Sequence, residues 1–133
     1  MGRLVLDLDP CPAPRQSKRD GWRPSAPVRR YRAFRDAVNV MAGKRRKEVP
    51  WEGLTVTFRV PMPKSWPKYR REEMDGQPHQ QKPDLDNLLK ALADALWPDD
   101  DTHLWDVRAR KVWAREGRIE IEWEAPQREE MAP

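Results

Sequence analysis

The alternation of apolar and polar positions divides the chain into six short elements. Leu4, Leu6 and Leu8 alternate with Val5 and Asp7, which predicts a short strand. Pro10, Pro12 and Pro14 follow at alternate positions and force an extended path that no helix can take. Val28, Tyr31, Phe34, Val38 and Met41 then recur every three or four residues. Ser25 stands before them as a good N-cap, Pro27 is tolerated in a first turn, and Gly43 closes the stretch, so an amphipathic helix is predicted over about 26–42. Leu54, Val56, Phe58 and Val60 alternate with Thr55, Thr57 and Arg59 and form the clearest strand, ended by Pro61 and Pro63. The polar stretch from Lys64 to Gln81 has no period and is expected to be a mobile loop. Leu85, Leu88, Leu89, Leu92 and Leu96 fall within about 100° of arc on a second helix, which Pro98 stops. Trp105, Val107, Ala109 and Trp113 sit at even spacing between Leu104 and Ala114. After a turn at Glu116-Gly117, Ile119, Ile121 and Trp123 alternate with glutamates, so this pair predicts a β-hairpin with one buried face. The order strand-helix-strand-helix-strand-strand predicts an α+β fold, two helices packed on one face of a four-stranded mixed or antiparallel sheet. Residues 1–124 are expected to form a single domain and 125–133 a disordered tail.

Composition narrows the picture. Leu, Ile, Val and Phe supply 23 of 133 residues, about 17% and below the roughly 20% under which disorder is a live alternative. Disorder also needs a high net charge, and here it is only +4; seven Trp add apolar area besides. A small core with sizeable polar loops is the consistent reading. No apolar run approaches the ~20 residues of a membrane span, and Asp7 interrupts the start where a signal peptide needs a long apolar stretch. Cys11 is the single cysteine, so neither an intramolecular disulfide nor a cysteine-cluster zinc site is available. The cytoplasm is the expected compartment.

The charge is unevenly placed. Residues 1–50 carry 13 Lys/Arg against 5 Asp/Glu, whereas residues 51–133 carry 13 against 17. A basic half suits a polyanion and an acidic half with clustered Asp suits a metal. Arg15, Lys18, Arg19 and Arg23, with Trp22 among them, could track a phosphate backbone while the indole stacks on a base. They could equally form a solvated loop with Trp22 in the core. Arg29, Arg30 and Arg32 on the first helix, followed by the run Lys44 to Lys47, are either a phosphate-facing surface or a solubilising collar.

The chemistry concentrates in the segment Lys82 to Lys90. Pro83 turns Lys82 away from helical geometry, so the chain arrives extended. Asp84 stands at the junction into the helix and Asp86 lies in its first turn. At such a corner two carboxylates can converge on one cation, as they could not in mid-helix. Lys90, four residues after Asp86, shares its side of the helix. Hard divalent ions prefer carboxylate and water oxygens from few protein ligands. Asp99, Asp100 and Asp101 could fold back to add a third carboxylate. Ordinary explanations stand beside this one: Asp84 as a helix cap, Asp86–Lys90 as a helical ion pair, the three aspartates as a turn. An EF-hand is excluded, because Leu88 and Leu89 fall where ligands and the turn glycine belong. His79 and His103 are isolated. There is no glycine-rich phosphate loop, hence no expected nucleotide cofactor, and no recognisable Ser or Cys nucleophile motif.

With these residues in view, the segment resembles the RusA family of Holliday junction resolvases. The likeness is carried by Lys82-Pro83-Asp84-Leu85-Asp86-Asn87-Leu88-Leu89-Lys90, by Asp94-Ala95-Leu96, by Asp100-Asp101 and by a strand containing Lys111. The approach Pro61-Met62-Pro63-Lys64 and His79 are also similar. The resemblance runs from about residue 50 to 123, and the first 50 residues match only in type. Three consecutive aspartates occur where the family has a pair, and the register to the following strand points to Asp101 as the second of that pair.

The resemblance implies a homodimeric, Mg²⁺-dependent endonuclease, with Mn²⁺ as a substitute ion, that cuts four-way DNA junctions by paired phosphodiester hydrolysis. It implies that Asp84, Asp86 and Asp101 bind metal, that Lys90 assists catalysis, and that Asn87 supports the helix start, with Asp100 as an additional ligand or helper. Arg15, Lys18, Arg19, Trp22, Arg29, Arg30 and Arg32 are the expected DNA contacts. Two other readings stay open: a nuclease selective for flaps or forks, and a non-catalytic DNA-binding accessory protein whose carboxylates only cap a helix.

Overall fold

The stripe Leu54-Val56-Phe58 that marks the clearest strand lies in the interior of the sheet. The computed structural model describes residues 1–15, 21, 23–99 and 101–124, without the Asp101 side chain. Its elements are β1 (Gly2–Leu6), α1 (Ala26–Ala42), β2 (Leu54–Pro61), α2 (Lys68–Met74), α3 (Leu85–Leu96), β3 (Val107–Ala114) and β4 (Arg118–Trp123). Short 3₁₀ turns follow α1 at Gly43–Glu48 and α3 at Asp101–His103. The fold is α+β around a four-stranded mixed sheet ordered β1-β4-β2-β3.

This order corrects the expected hairpin. β3 and β4 are consecutive in the chain but are not neighbours, because β2 lies between them, parallel to β3 and antiparallel to β4. Alternation settles which face a strand buries, and β3 and β4 bury the same face whether or not they touch. β2, with its alternating Leu54, Val56 and Phe58 all buried, takes a central place, where both of its edges are paired.

The register arranges the inner face in rows across all four strands. Gly2, Trp123, Leu54 and Val107 form one row, Leu4, Ile121, Val56 and Ala109 the next, and Leu6, Ile119, Phe58 and Lys111 a third. Gly2 is needed in the first, since a Cβ there would lie 2.0 Å from the Trp123 ring. Leu88, Ala91, Leu92, Ala95 and Leu96 of α3 and Tyr31, Phe34, Val38 and Ala42 of α1 cover this face and complete the core. In α1 the buried stripe ends on Ala42, whereas Met41 is exposed. Trp105, expected on the inner face of the strand, is exposed and precedes β3. No helix among the described residues is long and apolar enough to cross a membrane.

The stretch read as a loop contains α2. Its residues Lys68–Met74 include none that is buried, so it leaves no apolar period to find. Trp66 beside it does pack, its ring 4.8 Å from that of Trp113, and the Arg70 guanidinium stacks on Trp66 at 4.0 Å.

The opposite face of the sheet is polar. Glu120 is buried there between Arg3, at 2.5 Å, and Arg59. Burial alone pushes this carboxyl up, but the hydrogen bonds and charges of Arg59 and Arg3 outweigh it and hold the group below its ordinary range. Such a group stabilises the fold above its unfolded pKa and loses that contribution as pH falls through the lowered value. Glu120→Gln should therefore destabilise by about 1–3 kcal/mol near neutral pH, with Arg3 and Arg59 partly solvated and the value at the low end. Urea unfolding of wild type and variant should differ at pH 7 and differ by less at pH 3. An equal gap at both values would show that the ion network is not the cause.

Candidate active site

α3 starts where an extended approach meets a leucine stripe. Asp84 takes the N-cap position with extended backbone, and its carbonyl accepts the first helical bond from the Leu88 N–H at 3.1 Å. Its side chain, however, makes no capping bond. Asp86, in the first turn, is exposed as Asp84 is, and among the described residues neither carboxylate has a hydrogen-bond or ion-pair partner. Lys90 is exposed one turn on and is not bridged to Asp86. The ordinary uses of these residues, a cap and an i,i+4 ion pair, are thus not made. What remains is two carboxylates without a partner among the described residues, at one helix start, with an ammonium on the same side. This donor set fits a hard divalent cation, which takes carboxylate oxygens and keeps several waters.

Among the described residues no third His, Cys, Asp or Glu completes a metal-binding group. The Asp101 side chain and all of Asp100 lie outside the described residues, as do Lys18, Arg19 and Trp22. The backbone after α3 does fold back along that helix. Leu104, three residues after Asp101, lines the same apolar crevice as Leu89, three residues after Asp86.

Asn87 links the acidic and basic parts of the chain. Its side-chain amide donates to the Ala13 carbonyl at 3.1 Å, fixing the first turn of α3 to the proline-rich segment that leads to the exposed Arg15. Arg29, Arg30 and Arg32 are exposed on α1, with the Arg29 guanidinium donating to the Pro24 carbonyl at 2.8 Å. The two helices meet through Tyr31, whose hydroxyl donates to the Asp94 carboxylate at 3.3 Å.

Lys111 is a residue whose position in the strand pattern conceals a role. It occupies an inward place on β3, in the row of Leu6, Ile119 and Phe58. Its ammonium donates to the carbonyls of Gln81 and, at 2.7 Å, Pro83, on the approach to Asp84. The signal in the sequence is a charge at an inward position: Val107, Ala109, Lys111, Trp113. His79 packs beside it, only 4% exposed, its ring 4.3 Å from Trp113 and its Nδ1 buried without a partner among the described residues. Burial and the nearby Lys111 charge hold His79 below its usual pKa, so it is neutral at physiological pH.

No curated protein matches the sequence significantly. Residues 7–124, spanning β4, α3 and the carboxylates at its start, match the family Endodeoxyribonuclease RusA. With the match covering most of its length, the chain belongs to the RusA endodeoxyribonuclease family.

Proposed function

We propose that the protein is a divalent-metal-dependent endodeoxyribonuclease that resolves Holliday junctions and related branched DNA, acting as a homodimer. The observation that carries this reading is the pair Asp84 and Asp86, without protein partners among the described residues at the start of α3 and joined through Asn87 to the basic segment. Asp84, Asp86 and Asp101 hold Mg²⁺, or Mn²⁺ in its place, with Asp100 as a helper. The ion, when bound, activates water and offsets the charge that builds on the phosphate.

The chain's own residues do the remaining work. Lys90 presents a positive charge on the side of α3 that carries Asp86 and stabilises the anionic transition state. Arg15, Lys18, Arg19, Arg29, Arg30 and Arg32 take phosphates and Trp22 stacks on a base, which gives affinity that falls steeply with salt. A four-way junction has near two-fold symmetry, so a two-fold dimer sets one site on each of two strands and the product arises from paired nicks.

The test compares four-way junctions, flaps, forks and plain duplex with and without Mg²⁺, for wild type and Asp101→Asn. Symmetric nicks in the junction that require Mg²⁺ and vanish in the variant are expected. Preferred cleavage of flaps would move the substrate to other branched DNA. Binding that ignores Mg²⁺, with no cleavage of any substrate, would leave only an accessory role.

A further inference from the structure

We propose that Lys111 is a positioning residue for the Asp84 carboxylate and acts through the two backbone carbonyls it ties. The inference rests on the metal-holding role proposed for Asp84 and adds a residue to that site.

An ammonium on the inner face of a sheet is drawn to acceptors, because even partial burial without partners costs free energy, and Lys111 is half-buried. Lys111 stands in a row whose other members, Leu6, Ile119 and Phe58, are each 0% exposed. It finds no carboxylate among the described residues. Its acceptors are the Gln81 and Pro83 carbonyls, and both lie in the segment entering α3. The second is decisive. The Pro83 carbonyl belongs to the peptide unit that also contains the Asp84 nitrogen, and a peptide unit is planar. A bond to that oxygen fixes the plane from which the Asp84 side chain departs.

The same strand also holds the segment by its backbone. The Trp113 N–H donates to the Gln77 carbonyl at 2.9 Å, and the His79 N–H donates to the Lys111 carbonyl at 3.1 Å. The approach to Asp84 is thus attached to β3 over Lys111–Trp113, first by main-chain bonds and then by the ammonium. Beyond Pro83 the Asp84 carboxylate makes no capping bond and, among the described residues, has no hydrogen bond of its own to orient it. Its direction is set by the backbone, and Lys111 sets the backbone there. An apolar residue at position 111 would suit the core row and leave both carbonyls without their donor.

The experiment measures Mn²⁺ binding by electron paramagnetic resonance without DNA, cleavage against Mg²⁺ concentration, and thermal melting. The variants are Lys111→Met, Lys111→Arg and Lys111→Gln, with Asp84→Asn as reference. Lys111→Met fills the space without donors and should weaken Mn²⁺ binding by about tenfold, the lower end for groups that orient metal ligands. The Mg²⁺ needed for half-maximal cleavage should rise by the same factor, while cleavage at saturating Mg²⁺ recovers. Lys111→Arg, which keeps donors, should restore most of the affinity. Leu92→Ala, a core change away from the segment, should lower the melting temperature and leave Mn²⁺ affinity unchanged. Should the Met variant fail to melt cooperatively, Lys111→Gln, too short to reach both carbonyls, is read the same way. Wild-type Mn²⁺ affinity in a folded Met or Gln variant overturns the proposal. Equal Mn²⁺ binding by wild type and Asp84→Asn overturns the metal role of Asp84 itself, and the proposal with it.

Discussion

Asp86→Asn is expected to slow cleavage of a four-way junction by at least about a thousandfold at a fixed Mg²⁺ concentration, while the protein folds and binds the junction as before. The substitution keeps the size of the side chain and removes its charge. A metal contributes several kcal/mol of charge stabilisation in the transition state, and each 1.36 kcal/mol is a factor of ten, so losing one of the three proposed carboxylate ligands is worth about 4 kcal/mol. Stability should barely move. Asp86 is exposed and makes no hydrogen bond or ion pair among the described residues. Its remaining benefit to the helix is the interaction with the N-terminal dipole, about 0.3–1 kcal/mol. Junction affinity measured in EDTA should hold or rise, because a negative charge has been removed from a phosphate-facing surface. Burst experiments and a gel-shift titration, run on the same preparation, separate these quantities. Cleavage within tenfold of wild type would remove Asp86 from the metal site.

The parts of this architecture legible in the sequence are those where a period coincides with burial. α1 spans 26–42 as its apolar spacing predicts, and α3 runs from Leu85 to Leu96 along its leucine stripe. The family assignment was legible for a different reason. Lys82 to Lys90 packs an approach, a junction and a first helical turn into nine residues, so their relative placement is local and needs no long-range folding to be read. Strand order was not legible. A period of two assigns each residue to a face but says nothing about which strand lies alongside, and β2 enters between β3 and β4 without altering the pattern of any of them. α2 was hidden because a helix that buries nothing has no stripe. Lys111 stood out as a charge at an inward strand position, but its task was hidden, because its acceptors are main-chain carbonyls some thirty residues earlier and carbonyls carry no side-chain identity. The Asp84 cap was the opposite case: the position was readable, but only the geometry shows that the side chain declines the capping bond.

Phe58→Ala should be the most damaging single change to the fold, costing about 3–5 kcal/mol. Phe58 is 0% exposed in a central strand, with Ile119 on one side of its row and Lys111 on the other. Backbone bonded on both edges cannot close in on the space left by the ring, so the loss includes the cavity as well as the transfer of the ring from water. A domain of this size has roughly 5–15 kcal/mol in total, and a chain this poor in aliphatic residues has little reserve. The melting temperature should fall by about 10–20 °C, and urea unfolding should shift its midpoint with an unchanged slope. Phe58→Leu retains most of the volume and should cost less than half as much. The comparison bears on the site as well as on the fold. Phe58 pairs in register with Lys111, whose ammonium holds the approach to Asp84, so the Ala variant should lose Mn²⁺ affinity at temperatures well below its melting point, whereas the Leu variant should keep it. A loss of stability under 1 kcal/mol would mean that the row through Phe58 is not the centre of the core, and that the support beneath the carboxylates comes from α1 and α3 alone.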